Sequence, residues 1–339
     1  MNGSKIYAIG EIASAHGGDP LEVIKILDEF SNKGFQYIKF QVFSLEKLVN
    51  IYDDENSALK TIEISPLNWR KIFNYISDNK RSFCKINFIA EPYDLSSLSL
   101  CSEFKFFDSY KLPTSDLSNL NLLEKILKHT KNIYLGTGGS KFEEISKTVN
   151  FIKNNFKDIN INLIHGFQAY PTDIQDMDLW KISYLKKQFS LKVGFADHAD
   201  ASSQVLRYLP SCMAITYGAD FIEKHITIKR EEQKPDYYSS LNPNEVNEFL
   251  FAIQQTKKLT LKSECFELSK NELEYRQSMK KYACALIKIK RGDHLTLENI
   301  TFKRSNKGKF SLFQQDYLLG KITNKDLEEG HTILPEDLL

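Results

Sequence analysis

The stretch Lys192-Val193-Gly194-Phe195-Ala196-Asp197-His198 is a short, mostly apolar run that ends in an acidic and an imidazole side chain. Farther along, Asp220–His225 repeats this arrangement and ends in Glu223-Lys224-His225. Between the two runs, Ser203–Tyr217 has the apolar spacing of an amphipathic helix. The order strand, helix, strand predicts a βαβ unit, whose parallel strands place their polar ends side by side.

The same alternation continues toward the N-terminus and makes eight units. Eight β-rich runs separated by helical patterns predict a (β/α)8 barrel; the alternative is a doubly wound open sheet. The predicted strands are Lys5–Ile12, Gln36–Gln41, Ile86–Ala90, Phe104–Lys111, Asn132–Gly136, Ile161–Gly166, Lys192–Ala196 and Asp220–His225. The predicted helices are Leu21–Asn32, Leu120–His129, Glu143–Asn154, Met177–Phe189, Ser203–Tyr217 and Pro243–Lys258.

The length of 339 residues predicts one large domain and one small domain. We assign residues 1–260 to the barrel and the charged segment 261–281 to a linker. From Tyr282 the pattern changes to short strands and turns, including Arg291-Gly292-Asp293. Residues 282–339 are therefore predicted to form a small α+β module.

Composition argues against several classes of protein. With 45 basic and 44 acidic residues, the net charge of +1 does not favour binding to nucleic acid or to an anionic membrane. The segment 1–10 does not resemble a signal peptide, and the chain has no apolar run of about 18 residues that would span a membrane. Five scattered cysteines without a Cys-x-x-Cys pair indicate reduced thiols and predict a cytoplasmic protein.

Polar side chains stand at the ends of nearly all the predicted strands. In a (β/α)8 barrel these ends meet at one rim, where active sites lie, so the pattern predicts a catalytic centre. The alternative is that some of these residues are ordinary polar layers of a barrel interior. The residues are Glu11, Lys39, Gln41, Glu91, Lys111, Thr137, Gln168, Tyr170, Asp197, His198, Glu223, Lys224 and His225.

Two of these residues are candidate metal ligands. His198 and His225 end the adjacent strands seven and eight, so their imidazoles are expected to meet. Two imidazoles plus water suit a divalent transition ion with open positions, and Asp197 and Glu223 would fix the tautomers. The alternative is a pair of hydrogen-bonded structural histidines.

Lys39 and Lys111 are basic side chains at strand ends, and buried ammonium groups need anionic partners. The partner is either a substrate carboxylate or phosphate, or the glutamates Glu11, Glu91 and Glu223. The turn Thr137–Ser140 opens a helix with two glycines, and its backbone N–H groups are a further candidate anion site.

Taken together, the motifs resemble the sialic acid synthase family of N-acetylneuraminate, legionaminate and pseudaminate synthases. The tail resembles the antifreeze-like (SAF) domain of that family, at Lys303-Arg304 and Leu319-Gly320-Lys321. The resembling segments stand in family order: Glu11-Ile12, His16-Gly17-Gly18, Ile38-Lys39-Phe40-Gln41, Tyr110-Lys111-Leu112-Pro113, Gly136-Thr137-Gly138, Ala169-Tyr170-Pro171, Val193–His198, Ile222–His225, Pro235-Asp236 and Ser239-Ser240-Leu241.

The resemblance implies condensation of phosphoenolpyruvate with an acylamino sugar aldehyde to an α-keto nonulosonic acid and phosphate, in a domain-swapped homodimer. It implies that His198 and His225 bind Mn2+, with Mg2+ or Co2+ as alternatives. It assigns catalytic roles to Glu11, Lys39 and Asp197, and donor binding to Lys39, Lys111, Thr114, Thr137 and Gln168. It assigns sugar binding to Gln41, Asp116, Tyr170, Asp236 and Arg304, the last from the tail of a partner chain.

The sequence departs from the family pattern around the donor phosphate. Glu91 stands where the family has Thr or Ser, and Gly136 and Ala196 each stand where it has Ser. These changes leave open a metal-dependent aldolase or lyase with a non-phosphorylated donor. A catalytically inactive sugar-binding scaffold is a second alternative, although the retained glutamate, lysine and histidine set argues against it.

Overall fold

The computed structural model describes residues 6–50, 60–169, 171–260 and 266–339. The chain divides into two compact units, Met1–Leu261 and Lys262–Leu339. None of the described helices is long and apolar enough to cross a membrane.

The first unit contains a closed barrel of eight parallel strands in the order of the chain. β8 pairs with β1 and closes the ring, with Glu11 opposite His225. Closure confirms the predicted (β/α)8 barrel against the open sheet. The strands are β1 (Tyr7–Glu11), β2 (Tyr37–Val42), β3 (Asn87–Pro92), β4 (Phe107–Leu112), β5 (Asn132–Gly136), β6 (Asn160–His165), β7 (Lys192–Asp197) and β8 (Phe221–His225).

The helices of this unit cover the outside of the barrel. α1 shows why such segments are helical: Asp19 accepts a hydrogen bond from the Leu21 N–H, and Pro20 opens the first turn. The helices are α1 (Pro20–Phe30), α2 (Leu45–Leu48), α3 (Pro66–Asp78), α4 (Leu95–Ser102), α5 (Leu120–Ile126), α6 (Phe142–Asn155), α7 (Trp180–Phe189), α8 (Leu209–Thr216) and α9 (Val246–Leu259).

Helix α8 is shorter than its prediction, which extended over Ser203–Tyr217. Pro210 stands in the first turn of the helix, where a missing backbone N–H costs nothing. The preceding residues form turns instead, so the loop after β7 is longer than expected. Helices α2, α3 and α4 are not among the predicted helices.

Side-chain alternation along the strands sorts residues between the barrel interior and the helix layer. An interior apolar layer comes from six strands, while the alternate strand residues join the core beneath the helices. Two positions farther along several of these strands, side chains point inward again and form the next layer. The apolar interior layer consists of Ile9, Ile89, Tyr134, Ile164, Ala196 and Phe221.

The second unit contains α10 (Lys270–Met279), the antiparallel pair β9 (Lys281–Ala285) and β10 (Ile300–Arg304), and the short α11 (Gln315–Leu318). Its small core includes Ile289, Leu295 and Ile333. α10 lies inside the segment predicted as a linker; residues 261–265 of that segment lie outside the described residues. The helix buries none of its residues and begins at a capping box of Ser269 and Glu272.

The close packing of Gly194 on β7 against Phe221 can be tested by substitution. A Cβ atom there would come within 2.2 Å of the Phe221 ring, which is fully buried. Gly194→Ala is therefore expected to lower the free energy of unfolding by about 1–3 kcal/mol, measured by urea denaturation. Phe221→Leu makes room for the methyl group, so the same substitution should cost less in that background. Equal costs in both backgrounds would contradict the contact.

Candidate active site

A layer of charged side chains lies in the barrel above the apolar layer. It comes from the carboxyl ends of five strands, where the inward-pointing positions carry acids and amines. All five side chains are buried, and three of them are carboxylates. This charged layer consists of Glu11, Lys39, Glu91, Lys111 and Glu223.

Both lysines of the charged layer are ion-paired with glutamates of the chain. Lys39 Nζ contacts Glu11, lies 2.5 Å from Glu91 Oε2 and lies 3.1 Å from Glu223 Oε1. Lys111 Nζ lies 3.0 Å from Glu223 Oε1 and 3.3 Å from Glu91 Oε1. The sequence left open whether the lysines pair with a substrate anion or with glutamates of the chain. In the structure, both lysines contact glutamates.

The electrostatics of the layer keep Lys111 and Glu223 charged. Burial alone would raise the pKa of Glu223, but Lys111 and Lys39 hold that pKa well below its ordinary value. Burial acts to lower the pKa of Lys111, and Glu223 and Glu91 more than offset it, so the pKa is raised. By formal charge the layer has one more carboxylate than ammonium groups.

His198 and His225 lie together beside this layer. Their ring centroids are 5.1 Å apart and the rings are nearly perpendicular. His198 Nδ1 donates a hydrogen bond to the carbonyl of Phe167 at 2.8 Å, which leaves the lone pair on Nε2. Burial lowers the pKa of His198 to about 4 and that of His225 well below its ordinary value, so both are neutral at pH 7.

These two imidazoles fit a metal ion with open positions. Neutral imidazole is the form that binds metal, and a backbone carbonyl on the other ring nitrogen is a usual way to orient such a ligand. Within the described ranges, no group of three or more His, Cys, Asp or Glu is arranged to hold a metal. An ion at this pair would therefore take its other ligands from water or substrate, as catalytic sites do.

A small cavity opens over the charged layer and the histidine pair. Its lining includes charged and imidazole side chains as well as uncharged hydrogen-bonding side chains. The predicted residues Gln41, Thr114 and Gln168 are thus brought to one place. The cavity is lined by Gln41, Lys111, Thr114, Gly136, Ile164, Gly166, Gln168, Ala196, His198, Glu223 and His225.

Asp197 is placed differently from its predicted catalytic position. Its carboxylate lies 3.1 Å from Lys224 Nζ and accepts hydrogen bonds from Ser211 Oγ on α8 and from the Ala199 N–H. Strand alternation explains this, because Ala196 and His198 point inward and Asp197 therefore points toward the helices. Asp197 supports the end of β7, while the tautomer of His198 is set by the Phe167 carbonyl.

Two other predicted residues hold local structure. The Thr137 hydroxyl donates to the Ile164 carbonyl at 3.0 Å, and the Thr137–Ser140 turn lines a neighbouring groove. Asp116 accepts hydrogen bonds from Ser115 and Asn119.

The remaining predicted residues are Asp236, Arg304 and Tyr170. Asp236 accepts a hydrogen bond from the Ser14 N–H at 2.9 Å and has a positive φ of 64°. Arg304 ends β10 in the second unit, where it is exposed to solvent. Tyr170 lies outside the described residues.

Packing fills the space beside Gly136 and Gly166. A Cβ atom on Gly136 would come within 2.2 Å of Thr114 Oγ1, so the Thr114 side chain occupies the space that a serine there would use. A Cβ atom on Gly166 would come within 2.4 Å of the Ala196 carbonyl oxygen. The threonine hydroxyl thus stands beside the cavity where a serine is missing.

Sequence reasoning missed Ser211 and the Phe167 carbonyl. Ser211 lies on a helix, and no spacing in the sequence directs it to Asp197. A backbone carbonyl carries no residue-specific signal at all. Glu91 was recognised as a departure, but its contact with both lysines depends on the register of β2, β3 and β4.

The model of the NeuB family matches residues 26–264. The chain belongs to the NeuB family. This confirms the family resemblance found in the sequence, and an enzyme of the acid-synthase type follows from it. An N,N'-diacetyllegionaminic acid synthase of Campylobacter jejuni is 29% identical over 97% of this chain and 99% of the relative.

Two further comparisons cover most of the chain. An uncharacterized protein of Methanocaldococcus jannaschii is 30% identical over 99% of this chain and 96% of its own. The crystal structure of an N-acetylneuraminic acid synthetase from Leptospira borgpetersenii has a TM-score of 0.68 and 24% identity, over 81% of this NeuB-family chain and 92% of that one. This structural likeness shows a shared fold.

The buried ion pair of Asp197 and Lys224, which supports the end of β7, can be tested by substitution. Both side chains are fully buried, and Asp197 is the ion-pair partner of Lys224 among the described residues. Asp197→Asn leaves the ammonium group without a counter-charge and should lower the free energy of unfolding by about 3 kcal/mol or more. Lys224→Met in the same chain removes that charge and should recover most of the loss. Urea denaturation measures both, and equal losses in the single and double variants would refute the pairing.

Proposed function

We propose that this protein condenses phosphoenolpyruvate with an acylamino sugar aldehyde and releases an α-keto nonulosonic acid and phosphate. The observation that carries the proposal is the histidine pair beside two buried lysines at the carboxyl end of the barrel. The similarity of this chain to a legionaminic acid synthase, over nearly the full length of both, supports the proposal. The acceptor sugar is left as a class, because the residues around the cavity do not select one.

The donor half of the reaction would use Lys39, Lys111, Thr114 and Gln168. The lysines would neutralise the donor's anionic groups, while Thr114 and Gln168 would donate hydrogen bonds from the cavity wall. The methylene carbon of the donor forms a bond to the aldehyde carbon, whose oxygen takes up the electron pair and a proton. Water adds to the neighbouring donor carbon that bears the phosphate and loses a proton, and phosphate leaves with its bridging oxygen as the keto group forms.

The metal half of the site would be His198 and His225. A divalent ion, with Mn2+ proposed and Mg2+ or Co2+ as alternatives, would supply Lewis-acid polarisation of the aldehyde oxygen. Glu11 is held in place by the Ala13 N–H at 2.6 Å and by Lys39. We assign it the task of orienting the attacking water and accepting its proton.

The sugar half would draw on more distant residues. Gln41 lines the cavity and would donate to a sugar hydroxyl, and Asp116, Tyr170 and Asp236 would contact other hydroxyls. The second unit is proposed to be an antifreeze-like domain. In a domain-swapped homodimer, Arg304 of the partner subunit would reach the acylamino group.

A metal-dependent aldolase with a pyruvate-like donor is the second candidate. The observation that favours it is Glu91, a carboxylate of the chain that contacts both lysines. Here the methyl carbon of the donor would lose a proton and bond to the aldehyde carbon, with no leaving group. Release of phosphate separates the two reactions.

Turnover tests the proposed function directly. Purified protein with Mn2+, phosphoenolpyruvate and a panel of acylamino sugars should release inorganic phosphate and form keto acid in equal amounts. Omitting the sugar is the control for hydrolysis. Keto-acid product formed only from pyruvate would favour the aldolase, and no product from either donor would leave a sugar-binding scaffold.

Metal binding tests the histidine pair without turnover. His198→Ala should weaken Mn2+ binding about tenfold or more, measured by calorimetry, because it removes one of two protein ligands. His129→Ala, which changes an exposed histidine on the outside of the barrel, is the matched control and should bind Mn2+ like the unaltered protein. Unchanged Mn2+ affinity in His198→Ala would exclude His198 as a ligand.

A further inference from the structure

Glu91 has a contact pattern that the other carboxylates of the charged layer lack. Its Oε2 lies 2.5 Å from Lys39 Nζ and its Oε1 lies 3.3 Å from Lys111 Nζ, so one carboxylate bridges two ammonium groups with separate oxygens. Glu223 contacts both lysines through Oε1 alone. A bridging carboxylate of this kind has the geometry that a bound acid or phosphate would adopt between two lysines.

The charges of the layer are balanced without Glu91. Lys39 also contacts Glu11 and Glu223, and Lys111 also contacts Glu223. Two ammonium groups would then face two carboxylates, and neither lysine would be left without a partner. The layer therefore carries one negative charge in excess, and removing Glu91 would leave both lysines paired beside the cavity that Lys111 lines.

We propose that Glu91 is an internal anion that occupies the donor's anion subsite and thereby determines which donors the enzyme accepts. The inference rests on the proposed function, in which Lys39 and Lys111 hold the donor. A phosphate group that approaches the lysines meets a carboxylate already bound to both of them. Glu91 thus weakens the binding of multiply charged phosphate groups, and the phosphate of phosphoenolpyruvate must displace one end of this bridge to bind.

The contact at Lys111 is the weaker end of the bridge. Glu91 Oε1 lies 3.3 Å from Lys111 Nζ, whereas Glu91 Oε2 lies 2.5 Å from Lys39 Nζ. An entering anion would first engage Lys111, which faces the cavity together with Thr114 and Gln168. Lys111 is therefore the lysine through which any added anion should bind.

Inorganic phosphate is the probe that tests the role of Glu91. Calorimetry at constant ionic strength should show weak binding to the unaltered protein and binding tighter by about tenfold or more in Glu91→Ser, because one unit charge is removed within contact distance of the site. Glu91→Gln keeps the volume of the side chain, guards against misfolding of the smaller variant, and should also bind phosphate more tightly. Adding Lys111→Ala to either variant should abolish the gain.

Glu103→Gln is the matched control, since it removes an exposed carboxylate that pairs with Arg70 far from the cavity, and its phosphate affinity should not change. Equal phosphate affinity in the unaltered protein, Glu91→Ser and Glu91→Gln would overturn the inference. The measurement needs no turnover, so it is separate from the proposed function. Tighter phosphate binding without any synthase turnover would refute that function alone, and turnover with unchanged phosphate affinity would refute the role of Glu91 alone.

Discussion

The mutual neutralisation of charges inside the barrel is the constraint on which the site depends. A buried ammonium or carboxylate is costly unless a counter-charge lies within contact distance, and the charged layer places five such groups in one interior. Lys39 meets this constraint with three glutamates and Lys111 with two. The arrangement holds both amines at the mouth of the barrel, where they can act on an anion only in competition with the carboxylates of the chain.

Strand geometry decides which polar residues enter this interior. Alternation along β7 and β8 turns Asp197 and Lys224 outward as a buried ion pair and turns His198 and His225 inward as neighbours. Ser211 on α8 donates a hydrogen bond to Asp197 of the outward pair. The same two strands therefore carry the imidazoles on their inner face and contact the helix layer on their outer face. The candidate metal ligands and the ion pair that stabilises the barrel wall are thus neighbours in the sequence whose side chains point in opposite directions.

Much of the barrel could be predicted from the sequence, because its signals are local. The eight β-rich runs match the eight strands within a few residues, and β5 has its predicted bounds at Asn132 and Gly136. The order of polar strand ends also indicated where the site lies. The direction of Asp197 and the choice of partner for Lys39 and Lys111 could not be predicted, since they depend on strand register. Helix α10 was also missed, because an exposed, charged helix has no apolar stripe to reveal it.

The departures from the family pattern are best understood as one connected change. Gly136 leaves room for Thr114, whose hydroxyl lies 2.2 Å from where a Cβ atom at position 136 would stand. The hydroxyl of Thr114, in the loop after β4, therefore occupies this space and borders the cavity. Glu91 adds a negative charge where the family has a hydroxyl. Loss of hydroxyl donors alone would weaken the hold on any anion, whereas a carboxylate across both lysines discriminates by charge. Under the proposed function, the site keeps both lysines for a donor acid, and Glu91 changes the condition under which a phosphate can join it.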